Sequence, residues 1–481
     1  MADALPIEDY IITVGPGGTF RKSDGVRTKP SDIDALFTRL KTGNTKKIAL
    51  YFHGGLVSQT EGIKTARHVS PYITGAGIEP ICFVWETGLI ETIGSNISKI
   101  SETVIFSKVV KLLLFHLSGH LPLDFADAVG RSGRTLTEEQ ITQELSKPNP
   151  FGGFKDTLAA GVTSRSANSS GRPLPPDFTL EATFARSIDK DKELKQSIAK
   201  AHLSQPEREG ARGIYTAITF AKSLVAISHR VINRFMSNRD HGTYPTIVEE
   251  VLRQFYIAEV GAWVWSSMKE KAQIMWTGTQ GQQQDEQYVG RYFLDKLAQY
   301  SAEQDGLTID LIGHSAGSIA ICHLMEAVRK KANEMSFNKI VFMAPACRIE
   351  LFRDLVLSHP ESYKAIRIYT MADKHECEDL LVPYFYTRSL LYLISGILED
   401  GGDAYDAYIL GLERHLRFES PYDIAELSDI HQYLYEPQLS RMVYSKTLDQ
   451  VQQGLHSHSL KHGDFDDDDK TMTSIQYFIK Q

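Results

Sequence analysis

The pentapeptide Gly313-His314-Ser315-Ala316-Gly317 gives one serine of this chain the surroundings of a nucleophile. A serine hydroxyl reacts poorly until a base takes its proton, and it must stand clear of the backbone to attack. The apolar run Leu307–Ile312 leads directly into the pentapeptide, and a helical pattern, Ser318–Ala332, leaves it. That strand-turn-helix context is the one a sharply turned nucleophile needs. Gly313 and Gly317 let strand and helix close around the serine. The helix that follows points its N–H groups at developing negative charge. The plain alternative is a structural turn between strand and helix.

The other residues that acyl chemistry needs have candidates elsewhere. Phe52-His53-Gly54-Gly55 follows the strand signal Lys47–Phe52 (KIALYF). Glycines there allow backbone N–H groups to approach a substrate, so Gly54, Gly55 and Ala316 are the expected oxyanion donors. His53 is expected to hold this loop in place, not to act as the base. For a carboxylate, Asp373 stands at the end of the strand signal Ala365–Thr370, with Glu376, Glu378 and Asp379 as close rivals. The preceding strand is followed by APACR, which offers no carboxylate before Glu350. For a base, His462 precedes Gly463 and a final helical pattern at Thr471–Ile479, with His456 and His458 competing. The run Asp464–Asp469 suits a solvated helix start, where carboxylates meet the positive end of the dipole. Cation binding is the alternative use of those aspartates.

The order Ser315, Asp373, His462 and the segments FHGG, GHSAG, TMAD and KHGDFDDDDKTM resemble the α/β-hydrolase superfamily. The last segment is similar to the HGGFD-type stretch that carries the catalytic histidine in some bacterial serine hydrolases. The resemblance covers two flanks of the chain. It departs from the family in having HGG where many lipases have HGGG, and in showing no obvious strand before His462. It implies that His462 takes the proton of Ser315, that Asp373 orients the imidazole, and that an acyl-serine forms and is hydrolysed. No metal or organic cofactor is needed. The expected activity is carboxylic-ester hydrolysis, leaning to lipid or phospholipid acyl esters. Peptidase or amidase, thioesterase and acyltransferase chemistry are alternatives on the same triad, and a non-catalytic binding or signalling protein is the second alternative.

The elements that must position these residues follow from periodicity. Apolar runs at Tyr10–Val14, Lys47–Phe52, Pro80–Trp85, Leu307–Ile312, Lys339–Ala344 and Ala365–Thr370 read as strands. Helical patterns such as Glu61–Thr74 separate most of them, which predicts an α/β fold with a doubly wound, mostly parallel sheet. The alternation breaks between Glu86 and Tyr300. Phe178–His202, Gly213–Phe235 and Thr246–Trp265 there read as long helices, and Pro148–Pro176 reads as a Gly/Pro/Ser-rich linker. The predicted organisation is a first core part at 1–87, a helical cap at 88–300 with the linker at 148–176, and a second core part at 301–481. The linker composition suggests a cap able to open. Trp263, Trp265 and Trp276 are candidates to line an acyl pocket, meet a lipid surface or bind a protein partner, though a packed cap core is the plainer use. Val104–Leu117 is a candidate oligomer contact.

Composition sets the outer bounds. With 481 residues and 42% apolar types, the chain has ample material for a large core. Lys and Arg number 52 against 60 Asp and Glu, a net charge of −8. That balance disfavours a nucleic-acid partner, which needs a basic surface. Cys82, Cys322, Cys347 and Cys377 form no CxxC pair, so inert thiols in a reducing compartment are expected, not a zinc site. No secretory leader or membrane-spanning run is legible, and the expected location is the cytoplasm.

Overall fold

The computed structural model describes residues 9–20, 26–55, 58–85, 89–121, 136–152, 174–203, 217–260, 262–278, 288–331, 335–399 and 406–481. Among the described residues seven strands form one sheet: β1 (Ile11–Val14), β2 (Lys47–Phe52), β3 (Glu79–Trp85), β4 (Thr308–His314), β5 (Phe337–Met343), β6 (Tyr363–Met371) and β7 (Met442–Ser445). Their order is β1-β3-β2-β4-β5-β6-β7, and every pairing is parallel. The fold is α/β. The six expected strands are all present. β7 is the one the sequence hid, because its four residues alternate buried and half-buried and carry no continuous apolar run.

A parallel sheet must be covered on both faces, and alternate residues of β2 show how. Ile48, Leu50 and Phe52 face an apolar layer completed by Pro30–Thr42, Val289–Glu303 and Gly317–Lys330. Ala49 and Tyr51 face the opposite layer, built from Gln59–Gly75 and the last helix, Asp469–Lys480. The strand ends line up. Phe52 pairs with Gly313, and Gly313 with Phe342, so the loops after β2, β4 and β5 leave the same edge. Ligand sites of parallel sheets form at that edge.

The long insertion is helical, with three corrections to its expected layout. Phe178–His202 is two helices, Asp177–Lys190 and Lys192–Leu203. Asp191 separates them in an extended conformation, and its carboxylate caps the second by accepting the Leu194 N–H at 3.0 Å. Thr246–Trp265 is interrupted at Tyr256, where Thr243–Phe255 ends, and Ile257–Val260 and Ala262–Thr277 follow. The division at residue 300 is also displaced. Trp276 packs on Phe52 and Phe83, and Phe293 on Phe37 and Phe83, so Ala262–Thr277 and Val289–Glu303 cover the sheet itself. A crossover from β3 to β4 must run along one face, and these helices make it. Val104–Leu117 buries Phe106, Val109, Val110, Leu113, Leu114 and Leu117 within the chain. Most of the linker, 153–173, lies outside the described residues. No described helix is long and apolar enough to cross a membrane.

Candidate active site

Ser315 sits immediately beyond β4 with φ +51°, a left-handed conformation that a residue with a Cβ adopts at a cost of about 1–3 kcal/mol. Local bonds hold it there. The Ser315 N–H donates to Met343 O at 2.8 Å, and Ser315 O accepts from Ser318 Oγ at 2.6 Å and from the Ala346 N–H at 3.1 Å. The flanking glycines are sterically required. A Cβ on Gly313 would lie 2.9 Å from the Gly317 carbonyl carbon, and a Cβ on Gly317 would run into the Phe52 carbonyl. The turn therefore presents the Ser315 side chain at the sheet edge.

Ser315 Oγ lies 2.8 Å from His462 Nε2, joining residues from the two ends of the second core segment. Both are buried, Ser315 at 1% exposure and His462 at 4%. His462 opens a short 3-10 turn, His462–Asp464, in the loop between β7 and the final helix. Burial, aided by the charge of His314 and opposed by Asp466, pushes its imidazole down to about 3. The ring is neutral at pH 7 and able to accept a proton. Its other nitrogen, Nδ1, is buried without a hydrogen-bond partner.

The glycine loop closes on the same point. A Cβ on Gly54 would sit 3.4 Å from Ser315 Cβ, and one on Gly55 would meet Ala316 Cβ at 2.6 Å. Among the described residues the N–H groups of Gly54 and Ala316 donate no hydrogen bond. Ala316 caps Gly317–Lys330, so its N–H points from a helix N-terminus. His53 ties the loop down. Its Nδ1–H donates to Gly54 O at 2.5 Å, and its Nε2 accepts the Trp85 N–H at 3.1 Å. Those bonds specify a neutral ring, and burial pushes it down to about 4.

The carboxylates separate. Asp373 is buried, but its Oδ1 accepts from Tyr392 OH at 2.6 Å and its N–H donates to Glu413 at 2.6 Å. It makes no hydrogen bond to His462, so the expected Asp373–His462 pair is not formed. Glu376 is buried against Ser389, and burial drives its carboxyl well above the usual range. Asp379 is the rival that touches His462: its Oδ2 accepts the backbone N–H of His462 at 2.9 Å, while the ring Nδ1 stays unpartnered. Burial and the nearby Asp464 raise its carboxyl, which the His462 N–H partly offsets. His456 and His458 lie apart. The His456 N–H is bonded to Ser474 and the His458 N–H to Asp468.

Sequence reasoning missed three residues beneath the elbow. His314 Nδ1 bonds Asp466 Oδ2 at 2.9 Å, and His314 Nε2 bonds the carbonyl oxygen of His462 at 2.9 Å. Asp466 also accepts from Tyr51 OH at 2.8 Å. The aspartate run is therefore not wholly a solvated helix start. Asp468 caps the last helix through the Thr471 N–H, while Asp466 is buried at 5% exposure. The available signal was a histidine in the variable position before the nucleophile, together with an apolar Phe465 beside the acidic run. Among the described residues no cluster of histidine, cysteine and carboxylate side chains could hold a metal ion. No family model, curated protein or solved structure matches this chain.

Proposed function

We propose that this protein is a serine hydrolase of α/β-hydrolase type that cleaves carboxylic esters through an acyl-serine. The observation that carries the reading is the strained Ser315 with its Oγ 2.8 Å from the neutral, buried His462 Nε2, at the end of a central parallel strand. His462 Nε2 takes the hydroxyl proton as Ser315 Oγ attacks the acyl carbonyl. The N–H groups of Gly54 and Ala316, with Gly55 alongside, receive the oxyanion. The C–O bond breaks, the alcohol leaves with the proton from His462, and water repeats the sequence to release the acid. The carboxylate partner of His462 in this reading is Asp379. Asp379 is the carboxylate held on the backbone N–H of His462, and the ring Nδ1, unpartnered here, is the atom it would accept from. Lipid or phospholipid acyl esters are the substrate class we favour, on the resemblance to the α/β-hydrolase superfamily.

Intact-protein mass spectrometry after exposure to a fluorophosphonate tests the chemistry. The expected result is a single adduct on the wild type, absent from Ser315→Ala and His462→Ala. A wild type that takes up no adduct, or whose adduct survives Ser315→Ala, overturns the reading. A panel of acyl esters, anilides and thioesters then separates ester hydrolysis from amidase and thioesterase chemistry.

A further inference from the structure

His314 faces acceptors on both sides. Its Nδ1 meets a carboxylate oxygen of Asp466, and its Nε2 meets the carbonyl oxygen of His462. Neither partner atom can donate while Asp466 is ionised, so both ring nitrogens must carry protons. The ring is then an imidazolium, buried with its counter-ion and covalently adjacent to Ser315. We propose that the His314 imidazolium, anchored by Asp466, is a positioning group of the Ser315–His462 pair and acts together with burial to keep the His462 imidazole uncharged.

The geometry supports both halves. Elbow and base loop come from distant parts of the sequence, and His462 is tied to the elbow through Ser315 Oγ to His462 Nε2 and through His314 Nε2 to His462 O. The second fixes the backbone of the base, so the ring is aimed before substrate arrives. Asp466 is itself fixed by Tyr51 OH, from the middle of the sheet. The electrostatics agree in sign. Burial would lower His314, but the Asp466 charge and hydrogen bond outweigh it, aided by Asp467, and the ring is held above the usual histidine value. Asp466 is held low by His314 and Tyr51 against its own burial. The titratable groups facing this pair are His53, Tyr51, Asp467 and His462, and Asp379 stands at the His462 N–H. For His462 burial is the largest influence, the His314 cation adds to it, and Asp466 opposes both by less.

The inference rests on the proposed function for its meaning but not for its test. Histidine side-chain nitrogen NMR on the full chain reads protonation directly. In the wild type, His314 is expected to keep two protonated nitrogens above the pH at which a free histidine loses its proton, with His462 neutral at the same pH. In His314→Gln the cation is lost and Asp466 remains, so His462 should titrate at least about one pH unit higher. In Asp466→Asn both charges go, and the shift should be smaller and in the same direction. Tyr51→Phe removes a bond but no charge and should leave the His462 titration where it was. The acid limb of fluorophosphonate labelling should move in the same order, with its plateau about tenfold or more below wild type in His314→Gln. A singly protonated His314 in the wild type, or a His462 titration unmoved in both charge variants, overturns the inference. Failure of the wild type to label would instead count against the proposed function and leave the NMR result to stand by itself.

Discussion

At the scale of single residues, the decisive distinction is between two carboxylates six positions apart. Asp373 opens a short helix, Asp373–Glu378, and Asp379 follows it, and each is held by different partners. Asp373 receives Tyr392 OH and lies near the buried Arg414, whose guanidinium it helps to balance. Asp379 reaches His462. If Asp379 orients the imidazole, Asp379→Asn should lower the rate of Ser315 acylation by about 10²-fold or more with little change in stability. Asp373→Asn should do the reverse. It removes a charge that a buried cation faces, which costs about 3 kcal/mol, and it should leave the labelling rate of the folded protein within about tenfold. Denaturant unfolding and labelling kinetics on both variants decide the assignment, and a collapse of labelling in Asp373→Asn alone would return the role to that residue. Sequence could not separate the two. Both follow β6 closely, and only the path of the loop after the short helix brings the second one under the base.

At the scale of elements, the elbow was legible because sterics leave so little freedom there. Gly313 and Gly317 are required by backbone contacts, and a strand must precede and a helix follow. Gly317→Ala would force its Cβ against the Phe52 carbonyl, so the register of β2 beside β4 must give. The expected cost is about 1–3 kcal/mol of overpacking strain, together with a slower acylation, because the Ser315 side chain and the Gly54 backbone move apart. Thermal unfolding and labelling of the same variant measure both, and an unchanged labelling rate would argue that the proposed oxyanion site at Gly54 does not depend on this close approach. The base loop was less legible. β7 has four residues and no apolar run, so the strand that leads toward His462 left no periodic trace. The role of Asp466 was hidden for a related reason. In a run of aspartates, composition suggests solvent exposure, and only the fold shows that Phe465 and Asp466 turn inward while Asp468 caps the helix.

At the scale of the whole molecule, the helical insertion is joined to the C-terminal flank by buried charge, which apolar periodicity does not reveal. Arg234 is fully buried between Glu249 and Glu250, and Glu250 also takes Arg230 and Arg253. Glu249 accepts from His241 Nδ1 at 2.8 Å and from Tyr386 OH at 2.7 Å, and Arg414 donates to Asp240 O at 3.0 Å. Tyr386 and Arg414 belong to the chain after β6, so this network fixes where the insertion sits. Burial raises the Glu249 carboxyl, but His241 and Arg234 outweigh it and hold the group at about 2. Burial pushes His241 down to about 4, against the pull of Glu249. The sign for stability follows. Between about pH 6.5 and about pH 4 the unfolded chain binds a proton at this histidine that the folded chain refuses. Stability from that group is therefore complete above about pH 6.5 and is lost as the pH falls toward 4, by about 3 kcal/mol. His241→Gln keeps a donor for Glu249 and cannot titrate, so its unfolding free energy should vary less between pH 7 and pH 4 than that of the wild type by about that amount. Parallel denaturant titrations at the two pH values check it. Equal acid sensitivity in both proteins would mean that His241 is not the group that loosens the insertion, and that the acid-labile joint lies elsewhere among these buried charges.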